Sequence, residues 1–140
     1  MTLRPFLITD IPSARALWQS TPGVGLSAAD EPAALQAFLA RNPGTSFVAE
    51  SEGRLTGTVL VGHDGRRGLI HHLAVAQDHR RTGLGRALVM AGLAALHAQG
   101  IDKCHLMVFA DNAEGAAFWT GIGATRRKEL DLYSLPTALH

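Results

Sequence analysis

The stretch from His79 to Arg86 contains residue types that bind phosphate groups. Its sequence, H-R-R-T-G-L-G-R, places three arginines beside two glycines. Guanidinium groups match phosphate oxygens in charge and in the geometry of their donors, and glycines let a ligand approach the backbone without a Cβ in the way. This stretch therefore predicts a site for a phosphate or a diphosphate.

The neighbouring residues predict that this stretch joins a strand to a helix. Residues 68–75 form a short apolar run, G-L-I-H-H-L-A-V, and residues 84–99 form a longer run rich in Ala and Leu without proline. A helix that begins in such a turn presents unpaired N–H groups and the positive end of its dipole, which favours an anion. The P-loop and the Rossmann glycine patterns are both absent from the sequence, which argues against a nucleotide triphosphatase and a dinucleotide-binding site.

His71 and His72 are the residues that could move a proton. Imidazole titrates near neutral pH and can accept a proton from an ammonium group, directly or through water. Because side chains alternate along a strand, we expect His71 to share a face with Leu73 and Val75 and His72 to point to the opposite face. Each could equally be a hydrogen-bonded histidine of a strand, so residue type alone leaves both roles open.

Three motifs together resemble those of one known family. The pattern R-x-x-G-x-G runs from Arg80 to Gly85, L-A-V occupies residues 73–75, and N-A-E-G-A-A-F-W-T-G-I-G occupies residues 112–123. In this order they look like the motifs of the GNAT N-acetyltransferases. The resemblance extends over roughly the whole chain. It implies the GNAT acyl-CoA N-acyltransferase fold, and transfer of the acetyl group of acetyl-CoA to a primary amine of a small molecule or peptide by direct attack on the thioester.

The resemblance also implies roles in binding coenzyme A. The L-A-V strand would pair with the pantetheine arm and donate an N–H to the thioester carbonyl, the glycine turn would bind the diphosphate, and an asparagine side chain would reach the cofactor arm. The matching residues are Leu73, Ala74 and Val75 in the strand, Arg80, Arg81, Thr82, Gly83, Leu84, Gly85 and Arg86 in the turn, and Asn112 as the asparagine. Asn112 would also serve as a helix N-cap. No metal is implied.

The catalytic groups are partly those of the family. Arylalkylamine acetyltransferases, relatives within the superfamily, have a histidine two places before L-A-V, so we expect His71 to be the general base and His72 to be the second choice. Many members have Tyr where this chain has Trp119, and an indole cannot protonate a thiolate as a phenol can. We expect Phe118 and Trp119 to form an apolar wall beside the thioester and water to protonate the thiolate. The missing phenol also supports an alternative, a catalytically weak acyl-CoA-binding or sensing domain.

The acceptor site is the least specified part of the sequence. By the resemblance, the amine enters near the first helices and the hairpin turns, where Trp18, Asp64 and Arg66 are candidate contacts. Asp64 or Glu31 could bind a cationic amine and Arg66 an acidic group, but each also fits the ordinary role of a solvated loop charge. The chemical class of the acceptor therefore stays open at this stage.

Composition bounds the remaining classes of protein. The chain of 140 residues is 46% apolar with a formal net charge of +1, which favours one globular domain over residues 1–140 and argues against nucleic acid as a partner. A single cysteine, Cys104, excludes an internal disulfide, and no run approaches the ~20 apolar residues that span a bilayer. Because the first residues lack a long apolar run, we expect no signal peptide and a cytoplasmic protein. By the resemblance, exposed strand edges could pair between two copies of the chain to form a homodimer.

Periodicity and turn residues predict the element order β-α-α-β-β-β-α-β-α-β-β. Hairpins in the first half and strand–helix–strand connections in the second predict an α/β protein with a mixed sheet and helices on both faces. The predicted strands are 2–8, 46–50, 55–61, 68–75, 103–109, 124–128 and 131–135, and the predicted helices are about 11–21, 31–40, 84–99 and 112–121.

Overall fold

The structure, a computed structural model, describes residues 1–138 and divides into two compact units, Met1–Phe109 and a second that begins at Ala110. The strands are β1 (Thr2–Pro5), β2 (Phe47–Ser51), β3 (Arg54–His63), β4 (Gly68–Val75) and β5 (Cys104–Leu106). The α-helices are α1 (Ile11–Gln19), α2 (Pro32–Arg41), α3 (Leu84–Ala98) and α4 (Ala113–Gly121). Three short 3₁₀ turns are the Asp10 turn (Ile8–Asp10), the Asp30 turn (Ala28–Asp30) and Gln77–His79. Of the α-helices, only α4 belongs to the second unit.

The first unit is built on a mixed sheet with the strand order β1-β2-β3-β4-β5. The first four strands pair antiparallel with their neighbours in sequence, whereas β5 follows α3 and pairs parallel with β4. The prediction of an α/β protein with a mixed sheet is therefore confirmed. β4 is the strand at which the direction of pairing changes, and it carries both histidines.

Helices cover both faces of this sheet, as the sequence predicts. On one face, α1 and α2 pack Trp18 and Leu35 into a core with Leu60 of β3. On the other face α3 comes close, because a Cβ on Gly57 of β3 would lie only 2.9 Å from Leu88 Cδ1. Alternation along β3 puts Gly57 and Leu60 on opposite faces.

Two turns form where the sequence places them. In the β2–β3 hairpin, Glu52 and Gly53 have φ angles of 52° and 73°, the positive values that a tight two-residue hairpin turn requires. After α3, Gly100 has a φ of 83°. The N–H groups of Gly100 and Ile101 close the helix on two carbonyl oxygens of its last turn, each at 3.0 Å.

β1 and β5 are shorter than the sequence predicts. β1 ends at Pro5 because the Asp10 carboxylate accepts the N–H of Leu7 at 2.9 Å and draws the chain into the Asp10 turn. β5 ends at Leu106 because β4 leaves regular pairing just beyond Ile70, the last residue of the β4–β5 ladder. Strand propensity alone did not indicate where the partner edge ends.

The two strands predicted at 124–128 and 131–135 are wrong. The backbone described for these residues is irregular and contains no strand. A turn occupies the middle of the segment, where the N–H of Leu130 donates to the carbonyl oxygen of Arg127 at 3.3 Å. The alternating apolar side chains that predicted a strand remain exposed, Leu132 by 75%, so strand formation would gain no burial here.

Candidate active site

The turn between β4 and α3 has the geometry of an anion site. α3 begins at Leu84, its N-cap Gly83 has a φ of 83°, and no side chain caps its first turn. Within residues 1–138, the N–H groups of Leu84, Gly85 and Arg86 donate to no acceptor. Unpaired N–H groups at a helix N-terminus attract an anion, and the helix dipole adds to this attraction. Backbone donors are therefore available where the sequence predicts a diphosphate.

The arginines of this turn are available to an anion as well. Arg80, Arg81 and Arg86 are exposed, and none of them forms an ion pair in the part of the chain that the structure describes. Arg80 Nε donates to the carbonyl oxygen of Val75 at 3.2 Å, which holds this side chain against the end of β4. The Thr82 hydroxyl donates to a carbonyl oxygen of the turn itself at 2.6 Å.

β4 has an open outer edge next to the turn. The β4–β5 ladder ends at Ile70, and beyond it no described strand pairs with the outer edge of β4. The N–H of Ala76 bonds a carbonyl oxygen of β3 at 2.8 Å. Because successive residues of a strand direct their polar groups to opposite edges, Leu73 and Val75 direct theirs to the open edge. An extended ligand could pair there with the groups of Leu73 and the N–H of Val75, since the Val75 carbonyl oxygen already accepts Arg80 Nε.

A β-bulge decides where the two histidines point. One residue of β3 lies opposite two residues of β4, His72 and Leu73, and His72 has a φ of 45°, which few residues with a Cβ adopt. Both imidazole rings consequently lie on the α1–α2 face. The His71 ring is 6.1 Å from the ring of Phe38, and the His72 ring is 4.7 Å from that of Trp18. The prediction that the histidines occupy opposite faces is wrong, because the extra residue of a bulge breaks the alternation.

His72 belongs to a network of buried polar groups. Its Nε2 lies 2.7 Å from Asp30 Oδ1, and the two side chains are 16% and 10% exposed. Asp30 Oδ2 accepts the N–H of Ser27 at 3.0 Å. The Thr58 hydroxyl donates to the backbone carbonyl of His72 at 3.0 Å and accepts the indole N–H of Trp18 at 2.8 Å. Protein groups therefore hold both the ring and the backbone of His72.

His71 has a drier environment. Its ring meets that of Phe38 edge-on, and no described residue forms a hydrogen bond with its side chain. Burial lowers the pKa of His71 below its ordinary value, the neighbouring His72 lowers the pKa further, and Asp30 opposes both. His71 is therefore neutral at pH 7, but the burial that keeps it neutral also disfavours the imidazolium it would become.

The structure does not bring the three acceptor candidates together. Trp18 is only 1% exposed, so it supports His72 and is not itself open to an acceptor. Asp64 closes the β3–β4 turn, where its carboxylate accepts the N–H groups of Arg66 and Arg67 at 2.8 and 2.9 Å. The bonds from Arg67 and Arg66 also lower the pKa of Asp64. Asp64 and Arg66 thus lie at the start of β4, whereas the glycine turn follows its end.

The connection between α1 and α2 contacts both β4 and the segment that follows β5. A Cβ on Gly25 would lie 2.8 Å from Phe109 Cζ, so the Phe109 ring rests on the backbone of this connection. Further along, Asp30 bonds His72. Between Arg15 and Asp30 the sequence contains no charged residue. The connection therefore presents uncharged groups near the bulge.

The remaining candidates lie in the second unit. Asn112 Oδ1 accepts the N–H of Gly115 at 2.9 Å, so Asn112 caps α4, which is one of the two roles expected for it. Phe118 and Trp119 are half-buried, with ring centroids 5.1 Å apart and planes at 82°. They form one apolar surface on α4, and their contact with a cofactor stays a prediction.

Two residues of the site were missed in the sequence, Asp30 and Thr58. The S-A-A-D pattern that ends at Asp30 has the form of a capping box and predicts the turn. Nothing in that pattern indicates His72, 42 residues further on, as the partner of the carboxylate. Only the folded chain makes this pair.

Two further features, a metal-binding cluster and a membrane-spanning helix, are absent from residues 1–138. No group of three or more His, Cys, Asp or Glu side chains in this range is placed to hold a metal ion. No helix in the same range is long and apolar enough to cross a membrane.

Comparison with known proteins gives consistent matches. The family model described as "Acetyltransferase (GNAT) family" matches residues 11–123. Acetyltransferase plu1384 of Photorhabdus laumondii is 32% identical over 116 residues, which cover 80% of this chain and 78% of that protein. Acetyltransferase ECA0875 of Pectobacterium atrosepticum is 40% identical over 74 residues, 53% of this chain and 52% of that protein. The match thus spans about half the length of this second relative.

The fold also matches solved structures. The PaiA N-acetyltransferase of Thermoplasma acidophilum, solved in complex with coenzyme A, has a TM-score of 0.71 with this chain. The alignment covers 87% of each chain at 18% sequence identity. At this identity the likeness shows a shared fold.

Proposed function

Because the chain belongs to the GNAT acetyltransferase family, we propose that it transfers the acetyl group of acetyl-CoA to a primary amine of a small molecule or peptide. One observation carries the proposal. The uncapped N-terminus of α3 follows the end of β4, and the outer edge of β4 is open at Leu73 and Val75. These adjacent features fit a diphosphate and an extended arm that contains amide groups.

The proposed binding of acetyl-CoA uses groups that the protein itself leaves free. The N–H groups at the start of α3 and the guanidinium groups of Arg80, Arg81 and Arg86 would neutralise the diphosphate. The N–H of Leu73 would donate to the thioester carbonyl oxygen, on which negative charge develops during attack. The resemblance also implies contacts of Asn112, Phe118 and Trp119 with the cofactor.

The proposed reaction is a direct attack. The neutral amine nitrogen forms a bond to the carbonyl carbon, the C–S bond breaks, and the thiolate of coenzyme A leaves with the electron pair. His71 or His72 would take the proton that the nitrogen gives up. Trp119 has no proton to offer a thiolate, so water would supply it, which a thiol pKa of ~8.5 allows near neutral pH.

The acceptor side favours an amine with uncharged neighbouring groups. The connection between α1 and α2 carries no charged residue before Asp30, and Asp30 is buried against His72. The other carboxylate of the connection, Glu31, pairs with Arg15 at 3.7 Å. An acceptor with several ammonium groups would therefore find no unpaired carboxylate on this connection to offset their desolvation. We therefore expect arylalkylamines and peptides with apolar N-terminal residues to be better acceptors than polyamines or aminoglycosides.

The first test is the release of coenzyme A thiol from acetyl-CoA with a panel of these four amine classes and free amino acids. Thiol release with an amine, together with an acetylated product by mass spectrometry, is the expected result. The matched variants Arg80→Ala and Arg67→Ala separate the glycine turn from another exposed arginine at the far end of β4. Arg80→Ala should weaken acetyl-CoA binding by about 1–3 kcal/mol, the range for a lost charged contact, and Arg67→Ala should not. Equal affinities for both variants would contradict the diphosphate assignment.

A catalytically weak acyl-CoA-binding or sensing domain is the second candidate, and Trp119 in place of a phenol favours it. The two functions differ in turnover and share cofactor binding. Acetyl-CoA bound tightly, with no thiol release across the panel, would support the sensing domain and reject the enzyme.

A further inference from the structure

We propose that Asp30 is a positioning residue for His72 and that His72, rather than His71, accepts the proton of the attacking amine. This inference rests on the proposed acetyl transfer and assigns its general base. The carboxylate of Asp30 lies within the protein, 10% exposed, with each of its two oxygens in a hydrogen bond.

The hydrogen bond decides which nitrogen of His72 is free. An ionised carboxylate only accepts hydrogen bonds, so at 2.7 Å from Asp30 Oδ1 the Nε2 of His72 must be the donor. In the neutral ring the other nitrogen, Nδ1, then carries the lone pair. Nδ1 has no hydrogen-bond partner among the described residues, so its lone pair is available for a proton.

The ring is also held in place from other directions. Trp18 lies against it at 4.7 Å, and the Trp18 indole bonds Thr58, whose hydroxyl donates to the His72 carbonyl. His72 itself has the left-handed backbone conformation of the bulge, with a φ of 45°. A residue held in an unusual backbone conformation by several neighbours is typical of functional sites.

Charge favours His72 over His71 as the group that becomes an imidazolium. The titratable groups that face His72 are Asp30, from the Asp30 turn, and His71, from its own strand. From α1 and β3 the facing groups are Trp18 and Thr58, which do not titrate in this range. The carboxylate of Asp30 balances the positive charge of a protonated His72. No described residue pairs with His71 in this way, and burial lowers the pKa of His71.

The proton balance of the step is simple. As the amine nitrogen bonds to the carbonyl carbon, it gives one proton to Nδ1 of His72, and the Nε2–H stays on the Asp30 carboxylate oxygen as a hydrogen bond. The thiolate leaves with the electrons of the C–S bond. The imidazolium then loses its proton to water before the next turnover.

The Asp10 turn supplies a matched control for the experiment. Asp10 ends a 3₁₀ turn and accepts the N–H three residues earlier, as Asp30 does, but its partner is Arg4. We compare Asp30→Asn, Asp30→Glu and Asp10→Asn with the wild type, using acetyl-CoA and an amine from the panel. The readouts are kcat, KM for acetyl-CoA, the pH profile of kcat and the melting temperature.

Asp30→Asn should lower kcat by about 10-fold or more, because a general base contributes about 10²–10⁴-fold, with KM for acetyl-CoA unchanged. The pH profile of kcat should differ from that of the wild type, because the carboxylate that accepts the Nε2–H of His72 is gone. Asp30→Glu should recover part of kcat. Asp10→Asn should lower the melting temperature and leave kcat and its pH profile as they are.

Nuclear magnetic resonance of the histidine ring nitrogens provides a test that needs no variant of Asp30 to fold. In the wild type at pH 8, neutral His72 should carry its proton on Nε2, with its signal identified by its loss in His72→Asn. A proton on Nδ1 would overturn the inference. If the wild type is active and Asp30→Asn has the same kcat and pH profile as Asp10→Asn, the inference is also overturned. A wild type that binds acetyl-CoA and acetylates no amine would overturn the proposed function, and this inference with it.

Discussion

The Asp10 turn and the Asp30 turn are built alike but bond to different partners. Each is a 3₁₀ turn whose last residue is a buried aspartate. In each, one carboxylate oxygen accepts the N–H of the residue three positions earlier, at 2.9 and 3.0 Å. Asp10 also receives two bonds from the guanidinium of Arg4, at 2.8 and 2.9 Å, whereas Asp30 receives one from the imidazole of His72 at 2.7 Å.

The partner decides what the same local structure can do. A guanidinium keeps its proton at every pH at which the protein is folded, so the Arg4–Asp10 pair only ties the start of α1 to β1. An imidazole gains and loses a proton near neutral pH, so the His72–Asp30 pair can take part in proton transfer. The local sequence of the turn predicts its shape, and the residue that reaches it from the sheet determines its chemistry.

The largest expected effect comes from removing the proton acceptor while keeping the turn. His72→Asn retains a side-chain N–H donor, and asparagine tolerates the left-handed conformation found at this position. We expect kcat to fall by about 10²–10⁴-fold, the contribution of a positioned general base. Steady-state kinetics with saturating acetyl-CoA would measure this. A fall of less than about 10-fold would mean that another group is the general base.

Breaking the Asp10 turn should affect stability and leave the rate intact. Burial by itself would raise the pKa of Asp10, but the bonds from Arg4 and from the Leu7 N–H outweigh it and lower the pKa. Asp10→Asn should reduce the free energy of unfolding by about 1.5–3 kcal/mol at pH 7, the range for hydrogen bonds to charged groups. Urea unfolding and kcat should be measured together.

The pH dependence of that stability has a definite sign. An aspartate whose pKa is lowered in the folded state stabilises the protein above the unfolded value of about 3.9, and this stability is lost as pH falls through the lower folded value. The wild type should therefore lose its advantage over Asp10→Asn as the pH drops below about 4. A difference in unfolding free energy that stays constant down to pH 2 would contradict the assignment.

A smaller effect should follow from weakening the support of His72. Trp18→Phe keeps an aromatic ring beside the imidazole and removes the N–H that donates to Thr58. The expected cost is about 1 kcal/mol in unfolding free energy, the usual contribution of one hydrogen bond. The kcat should fall by less than in His72→Asn. A Trp18→Phe variant as slow as His72→Asn would mean that ring orientation, not proton acceptance, limits the rate.

The smallest effect is expected at His71. His71→Asn is the matched counterpart of His72→Asn on the same strand, but no carboxylate among residues 1–138 bonds the His71 side chain. We expect kcat to fall by much less than the about 100-fold that the loss of a general base would cause. If His71→Asn and His72→Asn exchange these outcomes, the first choice made from the sequence is correct and the Asp30–His72 pair is structural.

Much of the fold could be predicted because its signals are local. The helix α3 begins at Leu84, as predicted, and ends one residue before the prediction, at Ala98. Glycine turns, helix-ending glycines and apolar periodicity depend on residues a few positions apart. The prediction of the two final strands failed because strand formation depends on more than a local pattern. An alternating pattern predicts a strand only where a partner edge and a surface to bury exist, and residues 124–138 have neither in the part of the chain described.

The sequence by itself determined the glycine turn, since Gly83 and Gly85 set its backbone conformation and the arginines beside them set its charge. It also determined the strand that precedes this turn. Only the tertiary structure decided the chemistry of the histidines. The bulge at His72 requires β3 as a partner, and the bond to Asp30 requires the connection between α1 and α2 to fold over the sheet. Hydrogen bonds between residues far apart in sequence depend on how whole elements pack, and no local pattern in the chain records that packing.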